Sequence, residues 1–365
     1  MKLGEKMRID ICLTSDENYV EYMGALIVSV LKNSGNNDIF FHIIIDSISE
    51  ENKSKLISLK KIKNCEIIFY HDIDLNRYER LFEKTADKIY WSPACYYRLE
   101  IPNLIKNADK ILYLDCDIIV RKDISELFNI DISEVYLAAV THPINTDIFK
   151  TRIGLTIDDK YFCAGMLLIN NKLFIKDKLK EICVEFLENS KTIYAQDQDA
   201  LVIATKNKVK IIDEKYSYFA YRGYHAKAVD IEDINLIHYA SAKKPWLEDI
   251  DGCYYVEEFW KYFFLTPWFQ ENPSKYIDIM ISQKINLLRI ELSNQKLNNL
   301  VYGRYSENWI KFFGIYNNKE YIFIYIFFIK FTIKINEKNI NKIAWWIPIR
   351  KWRSKFREKI FNFRY

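Results

Sequence analysis

The sequence has no paired cysteines. Its seven cysteines are an odd number scattered along the chain, and no two of them form a CxxC pair. A disulfide scaffold needs an even set of cysteines, and a cysteine-based zinc site needs such pairs. The pattern therefore fits a reducing cytosol better than a disulfide scaffold, and it gives no zinc signature.

Long uncharged apolar stretches are also absent. No segment contains about 18 consecutive apolar residues without a charge, so we predict no membrane-spanning helix. The opening residues, MKLGEKMRIDICL, contain only a short apolar run and no small-residue cleavage site, which is not the layout of a secretory signal peptide. We therefore expect a cytoplasmic protein.

The chain carries little net charge. Its formal net charge is +4 over 365 residues, which does not indicate a nucleic-acid partner, and we expect none. Half of the residues are hydrophobic, which is enough for a large core, and the length exceeds that of a typical single domain. The charge is unevenly distributed, because basic residues are concentrated at the C-terminal end.

Apolar strand-like segments alternate with helical segments over most of the chain. Strands are expected at 8–14, 40–46, 65–72, 111–120, 136–142, 161–170, 209–213 and 234–240. This alternation predicts parallel βαβ units in an α/β fold, whose ligands bind beyond the carboxyl ends of the strands. Aspartates lie at several such ends, and for Asp46 and Asp72 a turn-capping role is the simpler interpretation.

The pattern changes after residue 272. Residues 321–335, YIFIYIFFIKFTIKI, are aromatic and β-branched with partial alternation, which predicts a hairpin or a small sheet. The terminal segment 341–365 is basic and aromatic, and its Trp352, Phe356 and Phe363 would share one face of a helix. Such a helix can lie in the headgroup region of an anionic membrane. The alternative is that these aromatics cover the protein's own core.

Residues 111–120, ILYLDCDIIV, place two carboxylates in a run that otherwise resembles a buried strand. In an extended backbone residues i and i+2 point to the same side, so Asp115 and Asp117 would converge. Adjacent carboxylates repel each other unless a cation lies between them, and a hard divalent cation can also hold phosphate oxygens. The alternative is that one aspartate points into solvent at a strand end, since a DxD pair is frequent by chance.

A histidine supplies a further candidate ligand. His238 ends another apolar strand and is followed by Lys243 and Lys244, which can meet phosphate as point charges. An imidazole can complete a site for manganese or a similar ion. A lone histidine is more often a structural hydrogen-bonding group, but this chain has only five.

Six motifs occur in order: ICLTSDENY, YYRLEI, LYLDCDIIV, YFCAGMLLIN, QDQDAL and IHYASAKKPW. Together they resemble the retaining glycosyltransferases of family 8, especially bacterial lipopolysaccharide galactosyl- and glucosyltransferases, over residues 8–265. The resemblance implies a GT-A fold, which is a Rossmann-like α/β nucleotide-binding domain, at 8–271. We expect a small β-rich or mixed extension at 272–340 and a membrane-associating tail at 341–365.

The resemblance also implies ligands and a location. The donor would be UDP-glucose or UDP-galactose, and the cofactor Mn²⁺, with Mg²⁺ as a substitute. The acceptor would be a saccharide or lipid-linked saccharide. Lipopolysaccharide or another cell-surface glycan would be the product. The enzyme would then be peripheral on the cytoplasmic face of the inner membrane, attached to the anionic surface through its tail.

Residue roles carry over from the matching motifs. The metal ligands would be Asp115, Asp117 and His238, and the catalytic-face residues Asp197 and Gln198. Donor-binding positions would be Asp16, Asn18, Tyr19, Arg98, Ala164, Gly165, Ser241 and Lys244. Simpler interpretations exist for some of them. Tyr19 could be a core aromatic, Arg98 could form a surface ion pair, and Asp197 could cap a helix.

The sequence departs from the family pattern at three positions. Cys163 stands where asparagine is common, Ser241 where glycine is common, and His142 where an aspartate often follows the fifth strand. These departures bear on the identity of the sugar. They leave open a catalytically silent protein that only binds sugar nucleotides. A phosphatase of the haloacid dehalogenase type also has a DxD pair at a strand end, but there the motif normally opens the domain.

Overall fold

The computed structural model of the protein describes residues 6–86, 88, 91–225, 227–302, 313–318, 321–326 and 329–334. The chain forms two compact units, Met1–Glu291 and Leu292–Tyr365. The tail at 341–365, for which a membrane-associating helix is predicted, lies outside the described residues. No described helix has both the length and the apolar character needed to cross a membrane.

The described part of the first unit contains the following strands: β1 (Arg8–Ser15), β2 (Asp38–Ile45), β3 (Glu66–Tyr70), β4 (Lys110–Leu114), β5 (Ile118–Val120), β6 (Leu137–Thr141), β7 (Phe162–Asn170), β8 (Val209–Ile212), β9 (Tyr218–Phe219) and β10 (Leu236–His238). Its helices are α1 (Val20–Lys32), α2 (Glu50–Ser58), α3 (Leu75–Glu83), α4 (Ile101–Leu104), α5 (Ser125–Phe128), α6 (Asp147–Arg152), α7 (Asn171–Lys176), α8 (Leu179–Asn189), α9 (Gln196–Thr205), α10 (Val256–Phe263) and α11 (Pro267–Glu271). The long helix α12 (Pro273–Tyr302) begins in this unit.

The central sheet has the strand order β3-β2-β1-β4-β7-β6-β8. Its β3, β2, β1 and β4 neighbours are parallel, as the alternation of strands and helices predicted. The strand β7 is antiparallel to both of its neighbours, so the expectation of purely parallel units is wrong there. A parallel arrangement of β6 and β7 would require a connection that crosses to the opposite end of the sheet. The connection 142–161 instead begins and ends at the same end of the sheet.

Both faces of this sheet are covered, which explains the continuous apolar runs of its strands. Along β1, Ile9, Ile11 and Leu13 face one hydrophobic cluster, and Cys12 faces the other. Helix α1 is buried through most of its length in the first cluster. The two-residue alternation of β1 therefore divides its side chains between two cores. The strand ends in two polar residues, Thr14 and Ser15.

The single strand expected at 111–120 is instead two strands. Strand β4 ends at Leu114, a turn closed by the Ile118 N–H and the Asp115 carbonyl (3.2 Å) follows, and β5 begins. Strand β5 belongs to a second sheet of order β5-β10-β9, in which Ile118 pairs with His238. The aspartates converge because of a turn rather than an extended backbone, since burying both carboxylates within a continuous strand would cost free energy.

In the second unit, the described strands form a three-stranded antiparallel sheet. It consists of β11 (Phe313–Asn318), β12 (Tyr321–Ile326) and β13 (Ile329–Lys334). The aromatic and β-branched segment YIFIYIFFIKFTIKI contains both β12 and β13.

Candidate active site

Three candidate metal ligands converge at the turn between β4 and β5. One ligand atom each from Asp115, Asp117 and His238 lies within 4.8 Å of the others. The His238 Nε2 atom is 3.3 Å from Asp117 Oδ1 and 3.8 Å from Asp115 Oδ2. Its Nδ1 atom lies 3.2 Å from the hydroxyl of the buried Ser217, so Nε2 is the nitrogen presented to the carboxylates.

Gly165 lets the side chains of His238 and Asp115 lie against its backbone. A Cβ atom at this position would lie 2.3 Å from His238 Cε1 and 2.7 Å from Asp115 Oδ2, which is too close for any side chain. Two carboxylates and one imidazole are a donor set that suits Mn²⁺ or Mg²⁺. The residues present therefore fit the divalent metal ion that the sequence implies.

Charge at the cluster is strongly polarised. Burial acts to raise the pKa of Asp117, but Lys244 and His238 outweigh it and hold this pKa well below its ordinary value. For His238, burial acts to lower the pKa, but Asp117 outweighs it and raises it to about 10. The Lys244 ammonium donates to Asp117 Oδ2 and to the Tyr239 carbonyl (2.8 Å). Without a metal, the two carboxylates are therefore balanced by cations, with His238 and Lys244 beside Asp117 and Arg98 beside Asp115.

Arg98 lies in the core of the site and is not a surface ion pair. It is 7% exposed, and its Nη2 atom is 3.0 Å from Asp115 Oδ1 while its Nε atom is 3.0 Å from Asp197 Oδ2. It also donates to the Ala164 carbonyl, and its guanidinium lies 4.3 Å from the centre of the Tyr113 ring. One buried cation thus connects the metal cluster to the first turn of α9.

The first turn of α9 brings Asp197 and Gln198 to the same place. Asp197 is 3% exposed, and burial raises its pKa to about 7 although Arg98 acts in the opposite direction. Gln198 accepts from the Ala164 N–H (3.1 Å) and donates to the Tyr161 hydroxyl (3.2 Å). The N-cap of α9 is Ala195, which makes no side-chain capping hydrogen bond, and Asp197 lies within the first turn. Helix capping therefore does not explain why Asp197 is buried.

Residues after β1 reach the site from another side. The Asp16 side chain accepts from the Asn18 N–H (2.9 Å) and caps the short 3-10 helix Glu17–Tyr19. The Tyr19 ring makes edge contacts with Tyr22 and Trp246, so it is part of an aromatic cluster. Burial raises the pKa of Tyr19, and the charge of Asp117 adds to this effect. The core interpretation of Tyr19 is therefore compatible with a position beside the metal cluster.

The loop after β10 positions only one of its two lysines at the cluster. Ser241 closes a turn by accepting from the Lys243 N–H (3.1 Å) and donating to the Lys243 carbonyl (2.9 Å). Lys243 itself pairs with Asp249, so the expectation that it meets phosphate together with Lys244 has no support in the geometry.

The remaining departures from the family pattern line the same region. The Cys163 sulfur accepts from the Gly165 N–H at 3.4 Å. The His142 ring packs against Phe149, Phe219 and Tyr224, and Phe219 in turn packs against His238. Burial, and to a lesser extent His238, lowers the pKa of His142 to about 4.

Four contacting residues were not predicted from the sequence: Thr14, Tyr113, Tyr161 and Ser217. Thr14, Tyr113 and Tyr161 lie within the quoted motifs, and Ser217 lies outside them. All four contact other side chains of the site, and such contacts depend on which strands become neighbours. Tyr113 had a usable signal, because a side chain two positions before Asp115 along a strand shares its face.

The chain is similar in sequence to known bacterial proteins. A lipopolysaccharide 1,3-galactosyltransferase of Salmonella typhimurium is 28% identical over 252 residues, which are 66% of this chain and 73% of that protein. A Haemophilus influenzae relative is 32% identical over 214 residues, and the match spans 58% of this chain but only 63% of that relative's length.

The fold matches that of a solved galactosyltransferase. The crystal structure of LgtC in complex with donor and acceptor sugar analogs has a TM-score of 0.62 and 25% identity, covering 71% of this chain and 96% of LgtC. The expected GT-A fold is thereby confirmed. The family model described as glycosyl transferase family 8 matches residues 10–250, which is more than half of the chain. The chain therefore belongs to glycosyl transferase family 8.

Proposed function

We propose that this chain transfers a hexose, glucose or galactose, from a UDP-sugar to a saccharide acceptor with retention of configuration. The product would be lipopolysaccharide or another cell-surface glycan, in keeping with the Salmonella relative's activity. The observation that carries the proposal is the cluster of Asp115, Asp117 and His238, two of which lie against the backbone of Gly165. Such a cluster suits a divalent ion that binds a diphosphate.

Binding of the leaving group follows from the charges at the cluster. A divalent ion held by the two aspartates and His238 would neutralise charge on the diphosphate. Lys244, whose ammonium lies beside Asp117, supplies a second positive charge for the same oxygens. Asp16, Asn18 and Tyr19 are the proposed uridine contacts, and Ser241 shapes the loop that presents Lys244.

The reacting sugar is assigned to the opposite side of the cluster. Arg98 and Gln198 contact the backbone of Ala164 there, and Arg98 pairs with Asp197. Retention requires either a carboxylate nucleophile, for which Asp197 is the candidate, or attack by the acceptor hydroxyl on the face from which UDP departs, beside the Gln198 amide. Because Arg98 and Gln198 are anchored to neighbouring groups, they are positioned before the donor binds.

The acceptor and location are part of the same proposal. A lipid-linked saccharide at the cytoplasmic face of the inner membrane would bring the basic, aromatic tail at 341–365 to an anionic surface. That tail, the small extension at 272–340 and the catalytic domain at 8–271 are the proposed functional divisions of the chain.

The test measures UDP release from UDP-glucose and from UDP-galactose with the full chain. We expect release in the presence of Mn²⁺, with the preferred donor turning over faster, and loss of release when EDTA is added. Binding of UDP-sugar without release, in the presence or absence of a saccharide acceptor, would instead identify a catalytically silent sugar-nucleotide-binding protein.

A further inference from the structure

The two carboxylate oxygens of Asp115 have different surroundings. Oδ1 accepts a hydrogen bond from the Tyr113 hydroxyl at 2.6 Å and lies 3.0 Å from Nη2 of Arg98. Oδ2 faces the other way. It lies 3.8 Å from His238 Nε2, and it would lie 2.7 Å from a Cβ atom at Gly165. One oxygen is therefore occupied by protein donors, and the other points to the ligand cluster.

We infer that Tyr113 is a positioning residue that makes Asp115 a one-oxygen metal ligand through Oδ2. The inference rests on the proposed function, because it assigns a divalent cation to the cluster. Tyr113 lies outside the ligand set, and its role is to fix the orientation of the Asp115 carboxylate. Hydrogen bonds to metal-ligating carboxylates are a general means of holding them in a productive orientation.

The position of Tyr113 follows from its place in the sheet. It stands two residues before Asp115 at the end of β4, so its side chain extends along the same face. The residue is fully buried, and its hydroxyl lies 3.0 Å from the Thr14 hydroxyl, which comes from the end of the neighbouring strand β1. Because Tyr113 donates to Asp115, Thr14 is the group that donates to Tyr113. The chain Thr14–Tyr113–Asp115 thus joins two strand ends.

The Tyr113 ring has a second task that its hydroxyl does not share. The Arg98 guanidinium lies 4.3 Å from the ring centre, where the π face attracts a cation. Replacing Tyr113 with phenylalanine keeps this face and removes the hydrogen bond to Asp115 Oδ1. The substitution therefore separates orientation of the carboxylate from support of Arg98.

The experiment measures Mn²⁺ binding to the full chain by electron paramagnetic resonance, without any donor or acceptor. For Tyr113→Phe we expect affinity to fall by about 10- to 100-fold, which is typical of lost outer hydrogen bonds to a metal ligand. Thr14→Val should weaken binding less, because it leaves the Tyr113–Asp115 hydrogen bond in place.

Tyr96→Phe is the matched control. Tyr96 is also fully buried, and its hydroxyl bonds to the hydroxyl of Thr85 at 2.9 Å, away from the cluster. The same chemical change there should leave Mn²⁺ affinity unaltered. Thermal unfolding of all variants would show whether loss of stability accounts for any difference.

The outcomes separate this inference from the proposed function. Wild-type Mn²⁺ binding with equal affinity in Tyr113→Phe would overturn the positioning role and leave the metal site standing. Equal losses in Tyr113→Phe and Tyr96→Phe would also overturn it, since a general structural effect would then be the cause. Absence of Mn²⁺ binding in the wild type would instead refute the metal site on which both proposals depend.

Discussion

Gly165 allows two candidate ligands, His238 and Asp115, to occupy their positions in the cluster. The replacement Gly165→Ala would place a methyl group 2.3 Å from His238 Cε1 and 2.7 Å from Asp115 Oδ2. Both ligands would have to move apart, so we expect Mn²⁺ affinity to fall by at least about 100-fold, together with donor turnover. Calorimetric titration with Mn²⁺ measures the effect directly.

Gly154→Ala is a useful contrast for this prediction. Gly154 has a φ of +79°, and no atom lies within 4 Å of a Cβ built there. The substitution should lower the free energy of unfolding by about 1 kcal/mol through backbone strain. It should leave Mn²⁺ affinity unchanged. If both glycine variants bind Mn²⁺ like the wild type, the cluster beside Gly165 is not the metal site.

His142 makes stability depend on pH. Its folded-state pKa of about 4 lies below the ordinary value of 6.5, chiefly because the ring is buried. The unfolded chain therefore binds more protons between these values, and stability falls as pH decreases through this window. From pH 7 to pH 5 the residue should account for a loss of about 2 kcal/mol in the free energy of unfolding.

The variant His142→Phe tests this contribution, because phenylalanine preserves the ring packing against Phe149, Phe219 and Tyr224. Urea unfolding at pH 7 and pH 5, both in EDTA, should show a smaller acid destabilisation in the variant than in the wild type. An identical pH dependence of the two proteins would contradict the assigned pKa.

At the residue scale, the sequence singled out three candidate ligands, which the structure brings together, but not the side chains that contact them. Asp115, Asp117 and His238 are identifiable because carboxylates and an imidazole next to buried strands are unusual and match a motif. Ser217 and Thr14 are ordinary hydroxyl residues whose importance depends on which strands become neighbours. Lys243 was grouped with Lys244 by proximity in sequence, yet Asp249 binds it instead.

At the scale of elements, α12 anchors the loop that carries Lys244. The buried Gln283 donates to the carbonyls of Pro245 (2.7 Å) and Leu247 (2.6 Å) and accepts from the Trp260 indole (3.3 Å). Gln283→Ala would leave these groups without their partner. We expect the free energy of unfolding to fall by about 2–3 kcal/mol.

The same substitution should affect donor binding, because Pro245 directly follows Lys244. We expect the KM for the UDP-sugar to rise more than kcat falls. Gln270→Ala, at an exposed position of α11, is the control and should change neither quantity. A stability loss in Gln283→Ala with unaltered KM would show that α12 does not act on the Lys244 loop.

Elements were predictable where local periodicity and tertiary structure agree. The first βα units combine apolar strands and amphipathic helices, and they appear as expected. The break at 115–117 was missed because the apolar run resumes at Ile118, and only the pairing of β5 with β10 reveals that it enters another sheet. The antiparallel direction of β7 depends on the path of residues 142–161, which cannot be predicted from hydrophobic periodicity. Helix α12 was missed as well.

At the scale of the whole molecule, we expect the catalytic unit to release UDP and the tail at 341–365 to bind membranes. A chain that ends at residue 340 keeps every described strand, so we expect it to remain folded and to release UDP. It should lose binding to anionic liposomes, to which each basic residue near the surface would contribute about 1 kcal/mol at low salt. Liposome sedimentation of the two chain lengths provides the measurement.

Salt supplies the control for this prediction. Liposome binding of the full chain should weaken as ionic strength rises, because surface attraction is screened. Equal sedimentation of both chain lengths at low salt would refute the membrane role of 341–365. Precipitation of the shortened chain would favour the alternative that the tail's aromatics cover the protein's own core.

The central claim is that Asp115, Asp117 and His238 hold the metal on which donor binding depends. Calorimetric titration of UDP into wild type and Asp117→Asn, each with Mn²⁺ and with EDTA, tests it most directly. We predict that the wild type binds UDP in a Mn²⁺-dependent manner, and that Asp117→Asn retains its fold by circular dichroism but loses this dependence. Unchanged Mn²⁺-dependent UDP binding in Asp117→Asn would show that the pair of aspartates is not the metal site.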